Sequence, residues 1–479
     1  MFENIVKSAA LWGAVDAFFR HAFGFIISII LARLLIPDDF GTIALLSIFI
    51  GVANLFVNAG LGAAIIQRQD VTHDDESTVF WFNLIIAFSI MVILCLSSKK
   101  IAEFFDKPIL SSIIILLSFN IFISAFGSIQ STLMTKRLDF KTQMKIGISS
   151  TCIGGIIAVY MAWQSYGVWS LVWQTLTTTL ISVALLWYFS NWRPARVFYF
   201  SSLKKLFAFG GWIFMAWLLD VIYQKGYTTL IGKFYSSHEL GIYNRADNIQ
   251  TLASGLLTDV ISKILFPIFS KINKDLKKMQ DGMQLALQVS MFLTAPCMIG
   301  LAVLAPYFIE IFFGETWIQA VPILQILCVV GIFYPISVIN LSTLQAQGHS
   351  NIFFKIDFIK KIIGTFILIV GSYYGLVGIA IARVISGIIG VVINVFYTKK
   401  FLRYGLIKQS KDFSSSLLIS LIMGAAMFFI DEFNYFNINS IFIKFILLIF
   451  TGASIYFLFH FLFRTASWSA VWKLLRIGN

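Results

Sequence analysis

The chain contains 479 residues, of which 58% are hydrophobic and only 12% charged, with a formal net charge of +13. A soluble protein of this length carries about twice that charged fraction, so a soluble globular protein is excluded. Apolar runs of about 20 residues, each long enough to cross a bilayer as a helix, recur along the chain, whereas a period-2 alternation does not. The composition therefore predicts an all-α polytopic membrane protein.

The apolar runs predict about fourteen membrane-spanning helices. In chain order, these spans cover residues 9–33, 41–66, 78–98, 109–134, 146–164, 168–189, 209–233, 242–270, 282–304, 318–345, 359–372, 375–397, 413–430 and 441–463. The first run is too long for a cleavable signal peptide and contains Asp16 and Arg20, so we expect it to remain as the first span. Basic residues concentrate in the alternate loops on the side of both termini. The positive-inside rule therefore predicts cytoplasmic termini, and topology and anionic lipids, not nucleic acid, explain the net charge.

A charged corner occurs twice, 200 residues apart, at the end of the first and of the seventh span. The stretch "LARLLIPDDFGTIALL", which begins at Leu31, is matched by "IGKFYSSHELGIYNRA", which begins at Ile231. The matched residues are Arg33 with Lys233, Asp39 with Glu239 and Gly41 with Gly241. One interpretation is structural: the basic residue reaches the outer headgroups, and the chain re-enters the membrane at the glycine.

The corner is part of a longer repeat of six spans. Because six is an even number, both copies enter the membrane from the same side and form parallel repeats, an arrangement known in transporters. The predicted domains are a first six-helix lobe at 1–190, a cytoplasmic amphipathic linker at 191–208, a second six-helix lobe at 209–398, two additional spans at 413–463 and a cytoplasmic interfacial tail at 464–479.

Ionisable side chains inside the spans are the main functional signal, because each costs at least about 2.5 kcal/mol at the bilayer midplane unless it is paired or hydrated. The predicted substrate-binding cations are Arg20, Lys225, Arg245, Lys263 and Arg383. The candidates for binding a coupling proton or Na⁺ are Asp16, Asp220 and Asp259. Since cationic side chains, and guanidinium groups above all, suit phosphate oxygens, we predict a wet cationic cavity that receives an anionic, phosphorylated solute.

A second interpretation of four of these charges needs no ligand. Asp16 precedes Arg20 by four residues, and Asp259 precedes Lys263 by four, which is the favourable order for an ion pair within one helix. Each pair then neutralises itself. The cations that lack such a carboxylate one turn earlier are Lys225, Arg245 and Arg383.

Catalytic and metal-binding motifs find no support in the sequence. The stretch "GYTTLIGKF" at Gly226 departs from a phosphate-binding loop, and "GLGAAI" at Gly60 lacks the third glycine of a dinucleotide loop. The five histidines show no metal-ligand spacing. The predicted outer loops are short, whereas a membrane glycosyltransferase or polymerase is expected to carry a sizeable external loop.

Several stretches resemble one transporter family. They are "LARLLIPDDFGTIAL", "GLGAAIIQRQDVTHDDESTVFWFNL", "YNRADNI", "ILFPIFSKI" and "FFGETWIQAVPILQILCVVGI". They are similar to bacterial polysaccharide exporters of the Wzx type, in the branch of the colanic-acid and teichuronic-acid exporters. This branch belongs to the multidrug/oligosaccharidyl-lipid/polysaccharide (MOP) flippase superfamily. The resemblance covers nearly the whole chain.

The resemblance implies two six-helix lobes plus two further helices in a bacterial inner membrane. It also implies alternating-access movement of an undecaprenyl-diphosphate-linked oligosaccharide from the cytoplasmic to the outer leaflet, without a cofactor other than a coupling ion. The implied partners are this lipid-linked oligosaccharide, membrane lipids, and the polymerase and chain-length or export proteins of a polysaccharide pathway. On this basis, alanine at Arg20 or Arg245 is expected to abolish export at normal protein levels.

Three other functions remain open at this point. An ion-coupled antiporter of a drug or another small amphiphile predicts a cavity dominated by carboxylates, whereas basic residues outnumber acidic ones in these spans. A membrane glycosyltransferase or polymerase predicts a catalytic outer loop. A scaffold protein predicts that every intramembrane charge is paired.

Overall fold

In the computed structural model, all regular secondary structure of the described residues is helical, which confirms the predicted all-α class. The described residues are 19, 22–58, 61–68, 70–271, 275–347, 350–433 and 440–477. Within these ranges, the side chains of some residues are not described, namely those of 58, 67, 205, 208–213, 216, 256–268, 270–271, 350–354 and 473–477.

The chain divides into two compact units, residues 1–241 and 242–479. The described helices of the first unit are α1 (Ala22–Leu34), α2 (Pro37–Leu45), α3 (Ser47–Asn58), α4 (Leu61–Gln67), α5 (His73–Phe104), α6 (Ile109–Ala125), α7 (Ser128–Lys136), α8 (Phe140–Trp163), α9 (Trp169–Phe189) and α10 (Phe200–Phe234). A further helix, α11 (Ser237–Lys271), begins in this unit and continues in the second.

The core of the first unit extends to the predicted linker between the two repeats. Trp192 is buried there, and its indole N–H donates a hydrogen bond to a Glu76 carboxylate oxygen at 2.8 Å. Leu203 and Leu206, which lie in the first turns of α10, are buried in the same core. The linker is therefore tied to the start of α5 and runs without a break into α10.

The second unit contains α12 (Leu276–Phe312), α13 (Ala320–Ala346), α14 (Ser350–Ser372), α15 (Gly375–Leu402), α16 (Leu406–Glu432), α17 (Ile441–Leu462) and α18 (Ala466–Ile477), with a 3₁₀ turn at Glu315–Trp317. The two additional predicted spans are α16 and α17. The Tyr456 hydroxyl of α17 donates to the Phe292 carbonyl of α12 at 2.8 Å, and Lys444 pairs with Asp431 of α16 at 2.6 Å. Trp468 of α18 packs against the same Phe292 ring.

Nine helices of the described residues are long and apolar enough to span a membrane, and the bent pair α6–α7 makes ten. The predicted number of fourteen spans is not confirmed. The remaining predicted spans coincide with α1, α10, α11 and α14, of which α1 is short within the described residues. The chain is a multi-pass membrane protein.

The predicted lobes and the compact units are different divisions of the chain. The repeat assigns α10 to the second lobe, whereas α10 packs inside the first compact unit, where the hydroxyls of Ser47 and Thr228 lie 3.1 Å apart. Compactness does not test a sequence repeat, so the boundaries at 190, 208 and 398 stay a prediction.

Candidate functional site

The first charged corner is a tight turn between α1 and α2. Pro37 is the first residue of α2, where its missing N–H costs no helical hydrogen bond. The Asp39 carboxylate accepts a hydrogen bond from the Ile36 backbone N–H at 3.3 Å. Burial raises the pKa of the Asp39 carboxyl above its ordinary value, and the neighbouring charge of Asp38 acts in the same direction. Asp39 therefore serves mainly as a cap.

The second corner uses the same kind of cap at the start of α11. The Glu239 carboxylate accepts hydrogen bonds from the backbone N–H and the hydroxyl of Ser236, both at 3.0 Å. The Glu239 N–H returns a hydrogen bond to the Ser236 hydroxyl at 3.1 Å. The repeated acids Asp39 and Glu239 thus both satisfy backbone donors ahead of a helix, as a capping residue does. This geometry favours the structural interpretation of the repeated acid.

The two corners pack against each other, backbone to backbone. An ideal Cβ on Gly41 would lie 1.6 Å from the carbonyl oxygen of Ser237, and one on Gly241 would lie 1.9 Å from the carbonyl oxygen of Pro37. Only glycine permits so close an approach. We call residues 37–42 and 236–241 together the corner contact.

A lysine from a third segment binds the first corner, and a serine of the second corner binds the same carboxylate. Lys107, in the turn between α5 and α6, donates to both Asp38 carboxylate oxygens at 2.9 and 2.8 Å and to the Thr42 hydroxyl at 3.1 Å. The Ser237 hydroxyl donates to the same Asp38 carboxylate. Burial alone would raise the pKa of Asp38, but these hydrogen bonds outweigh it and hold that pKa below its ordinary value.

Lys233, which the sequence assigns to the lipid headgroups, has protein partners. Its ammonium donates to the carbonyl of Phe104, the last residue of α5, and lies 3.4 Å from the Asp106 carboxylate. It also lies 4.8 Å from the centre of the Phe104 ring. A cation at the carboxyl end of a helix is favourable because the last carbonyls carry partial negative charge.

Lys225 is an exposed cation in the middle of α10. Its ammonium has no carboxylate partner among the described side chains. The amide of the preceding residue, Gln224, donates a hydrogen bond to the Asp220 carboxylate at 2.8 Å. The stem of Lys225 lies next to α3: a Cβ added at Gly51 of α3 would lie 3.8 Å from Cγ of Lys225. The role of Lys225 in binding the substrate stays a prediction.

Arg245 has a different environment from the one expected of a cavity cation. Only 6% of the residue is exposed. Its guanidinium carbon lies 5.1 Å from the ring centre of Phe313 and 4.8 Å from that of Trp317, at cation–π distance. Two stretches that the family resemblance quotes separately, "YNRADNI" and "FFGETW", thus meet at this arginine. The guanidinium of Arg245 therefore stacks on aromatic rings of the second unit.

Arg383 of α15 forms an ion pair with Asp247 of α11. The distance between Nη1 and Oδ1 is 2.6 Å, and the side chains are 26% and 13% exposed. The buried Tyr243 ring lies beside the same pair. Helical spacing predicts no such partner for Arg383, because Asp247 belongs to another helix.

The other predicted site residues are not placed by the structure. Arg20 and Asp16 lie outside the described residues, and so do the side chains of Asp259 and Lys263. Their intrahelical ion pairs stay a prediction. Among the described side chains, Arg245 and Arg383 both belong to the second unit, whereas Lys225 and Asp220 belong to the first.

Sequence reasoning did not identify three residues that hold these structures together. They are Lys107, Ser237 and Trp317. Lys107 and Asp38 are 69 positions apart, and a short polar loop contains no local signal for its partner. The corner repeat places Ser237 and Gly241 near one another in sequence, but it does not show that the two corners touch.

The fold defines a multi-pass helical membrane protein with charged side chains inside its predicted spans. The sequence profile of the family described as "Polysaccharide biosynthesis protein" matches residues 30–322. This match covers more than half of the chain, so the chain belongs to that family.

Two relatives and one solved structure are similar over most of the chain. Lipopolysaccharide biosynthesis protein WzxC from Escherichia coli (strain K12) is 26% identical over 396 residues, 81% of this chain and 80% of that protein. Teichuronic acid biosynthesis protein TuaB from Bacillus subtilis (strain 168) is 30% identical over 308 residues, 64% of each chain. Lipid II flippase MurJ in its inward closed conformation has a TM-score of 0.77 at 18% identity, over 95% of this chain and 98% of that one.

These similarities confirm the resemblance to the Wzx-type exporters. At 18% identity, the likeness to MurJ shows the fold. The fold class predicted from the sequence, a helical MOP flippase fold, is therefore confirmed, apart from its exact number of helices.

Proposed function

We propose that this protein is a flippase that moves undecaprenyl-diphosphate-linked oligosaccharide units from the cytoplasmic to the outer leaflet of a bacterial inner membrane, for surface polysaccharide biosynthesis. One observation supports this proposal above all: the chain belongs to a polysaccharide biosynthesis family and has the fold of a lipid II flippase. The relatives' names, lipopolysaccharide and teichuronic acid biosynthesis proteins, are in line with it.

The chemistry of the cargo explains the charges inside the spans. A diphosphate and several sugars have to cross about 30 Å of hydrocarbon, which is very costly without a polar surface. Lys225 offers an exposed ammonium group within a predicted span. We assign it to the diphosphate, as a point charge that follows the phosphate oxygens.

Arg383 contributes to the same proposal in a different way. Its guanidinium is neutralised by Asp247 in this structure, so an anionic cargo has to compete with that carboxylate. Arg20 and Lys263 remain proposed substrate-binding cations. In this proposal Arg245 has a packing role, because its guanidinium is buried against two rings.

The coupling ion is carried by a carboxylate in this proposal. Asp220 accepts a hydrogen bond from Gln224 and remains a candidate, as do Asp16 and Asp259. The reported relatives are polysaccharide biosynthesis proteins and the matching fold is that of a flippase, so we assign this chain a transport role without catalysis. The cytoplasmic location of both termini and the partnership with a polymerase and with chain-length or export proteins belong to the same proposal.

The proposal is tested by reconstitution in proteoliposomes with a fluorescent polyprenyl-diphosphate oligosaccharide. We expect the probe to move between leaflets only in vesicles that contain the protein, and faster with a proton or sodium gradient. Passage of the polyprenyl phosphate lacking sugar at the same rate, or efflux of an organic cation in place of the probe, would contradict it.

A further inference from the structure

Three charged side chains lie in the middle of α14, opposite its exposed apolar stripe. This helix, Ser350–Ser372, has 23 residues, and at about 1.5 Å per residue it is long enough to cross a hydrocarbon core of about 30 Å. Large apolar side chains are exposed along one stripe of it, namely those of Phe358, Ile362, Phe366 and Ile369. Helical spacing places Asp357, Lys360 and Lys361 on the opposite stripe, and their side chains are 32%, 16% and 15% exposed. The charges therefore point away from the stripe that suits lipid.

One carboxylate serves both ammonium groups of this cluster. The Lys361 ammonium lies 2.6 Å from one oxygen of Asp357, whereas the Lys360 ammonium lies 3.8 Å from the other oxygen. A distance of 3.8 Å is too long for a hydrogen bond. Among the described side chains, Asp357 is the carboxylate within ion-pair distance of Lys360, and Lys361 already engages it. A single negative charge on Asp357 does not neutralise two lysines.

The stem of Lys360 lies on the same face of α15 as Arg383. A Cβ added at Gly390 would lie 3.4 Å from Cδ of Lys360. Gly390 follows Arg383 by seven residues, which is about two helical turns, so both positions share one face and are about 10 Å apart along the axis. Arg383 also has a carboxylate beside it, that of Asp247. The second unit thus presents cationic groups at two levels of one helix face, each with an acid next to it.

A second lysine at this depth needs a reason, because a charge inside a span costs at least about 2.5 kcal/mol unless it is paired or hydrated. An ion pair that only joins neighbouring turns of α14 needs one lysine for one aspartate. An anion with several oxygens accepts hydrogen bonds from both ammonium groups, and flexible lysine stems suit phosphate oxygens. The carboxylate of Asp357 occupies the place of such an anion in this structure.

From these observations we propose that Lys360 and Lys361 form a second phosphate-binding site, and that Asp357 is its internal counter-ion, which an incoming phosphate ester displaces. The diphosphate of a lipid-linked oligosaccharide and the headgroup of an anionic phospholipid share this chemistry. The inference rests on the proposed function, under which the ligand is the diphosphate. Lys225 of the first unit keeps its own assignment.

The first test measures binding without measuring transport. The full chain in detergent is titrated with a polyprenyl diphosphate, and the dissociation constant and the unfolding temperature are recorded. We expect Lys360→Gln to weaken binding about tenfold or more, because a hydrogen bond to a charged group is worth about 1.5–3 kcal/mol, and Lys361→Gln to act in the same direction. Lys355→Gln removes an exposed lysine of the same helix and, as the matched control, should bind like the parent. Equal affinities of Lys360→Gln and the parent overturn the proposal.

Asp357→Asn distinguishes a binding site from a cluster that only neutralises itself. In both cases the unfolding temperature of the protein without ligand falls, because the ammonium groups lose their counter-ion. In the proposed site, the same variant binds the polyprenyl diphosphate severalfold more tightly than the parent, because the phosphate no longer has to displace a carboxylate. Unchanged or weaker binding by Asp357→Asn overturns the role of Asp357. If this variant does not accumulate, Lys360→Gln decides alone.

Two further probes in the same assay identify the source of the phosphate. They are phosphatidylglycerol in mixed micelles and an uncharged polyprenol. We expect the polyprenol to bind equally to Lys360→Gln and to the parent, because it carries no anion. If phosphatidylglycerol binding depends on Lys360 and polyprenyl diphosphate binding does not, the phosphate site is supported and the proposed cargo is wrong. If neither depends on Lys360, the site is refuted, whereas the proposed function is still decided by the proteoliposome assay.

Discussion

Arg383 and Asp247 form an ion pair at 2.6 Å between α15 and α11, with side chains 26% and 13% exposed. Removing one partner leaves the other charge partly buried, so Arg383→Ala is expected to cost about 2–4 kcal/mol of stability, toward the lower end for a pair that water still reaches. The same substitution should also lower the rate of transport. Thermal unfolding in detergent and the proteoliposome assay measure the two effects separately.

The exchanged pair Asp247→Arg/Arg383→Asp distinguishes a structural ion pair from a cargo contact. If the pair is structural only, the exchange restores both stability and transport. We expect it to restore most of the stability but not the transport rate, because the cation has moved to another helix. Full transport by the exchanged pair would show that Arg383 has no part in binding the cargo.

Lys225 is the exposed cation that we assign to the diphosphate. We expect Lys225→Gln to reduce transport about tenfold or more with an unchanged unfolding temperature, since one well-placed charged contact is worth about 1.5–3 kcal/mol. Lys225→Arg retains the charge and should retain most of the rate. Lys277→Gln removes an exposed lysine from the start of α12 and serves as the control. Equal rates for both glutamine variants would contradict the assignment.

Arg245 should behave as a packing residue. Because its guanidinium lies over Phe313 and Trp317, Arg245→Ala is expected to lower the amount of folded protein, at a cost of about 1–2 kcal/mol for the cation–π contacts. The sequence alone predicts normal protein levels for this variant. Trp317→Phe keeps a ring and should be tolerated, whereas Trp317→Ala should reproduce the loss. Normal levels with abolished transport in Arg245→Ala would return Arg245 to the cargo site.

The sequence predicts local features of this fold well, because these depend on neighbouring residues. The apolar runs predict the helical class, and the corner repeat predicts two equivalent turns, which carry equivalent caps at Asp39 and Glu239. The number of spans does not follow from the apolar runs in the same way, because helices such as α11 combine apolar runs with charged residues.

The partners of the charged residues lie beyond local patterns. Asp38 meets Lys107 across 69 positions, and Arg383 meets a carboxylate on another helix. Spacing within one helix predicts only partners one turn away. For this reason an arginine that is neutralised, like Arg383, and one that stacks on rings, like Arg245, look the same in the sequence as an arginine that awaits a ligand.

The two neighbouring acids of the first corner should respond to pH in opposite ways. Hydrogen bonds hold the pKa of Asp38 below its ordinary value of 3.8, so its stabilisation is present above pH 3.8 and is lost as the pH falls through the lowered value. Asp38→Asn should therefore destabilise at pH 7, by up to about 1 kcal/mol for an exposed pair. The difference in stability between Asp38→Asn and the parent should become smaller below pH 3.8. Unfolding temperatures between pH 3 and 7 measure this.

The contribution of Asp39 to stability depends on pH in the opposite direction. Burial raises its pKa above 3.8, so the folded state favours the protonated acid, and that contribution is lost as the pH rises through the raised value. Asp39→Asn keeps a capping oxygen and removes the buried charge, so it should be as stable as the parent at pH 7 or slightly more stable. A large loss at pH 7 in Asp39→Asn, with none in Asp38→Asn, would reverse the two assignments.

A fully buried amide pair joins α13 to α16. Asn340 and Gln409 exchange two hydrogen bonds of 3.0 Å, and both residues are 0% exposed. Asn340→Leu leaves the Gln409 amide partly unsatisfied, so we expect a loss of about 1–3 kcal/mol. Because Gln409 also donates to the Tyr404 carbonyl, the double variant Asn340→Leu/Gln409→Leu should recover only part of that loss. A double-mutant cycle of unfolding free energies measures the coupling, and strictly additive losses would show that the two amides do not stabilise each other.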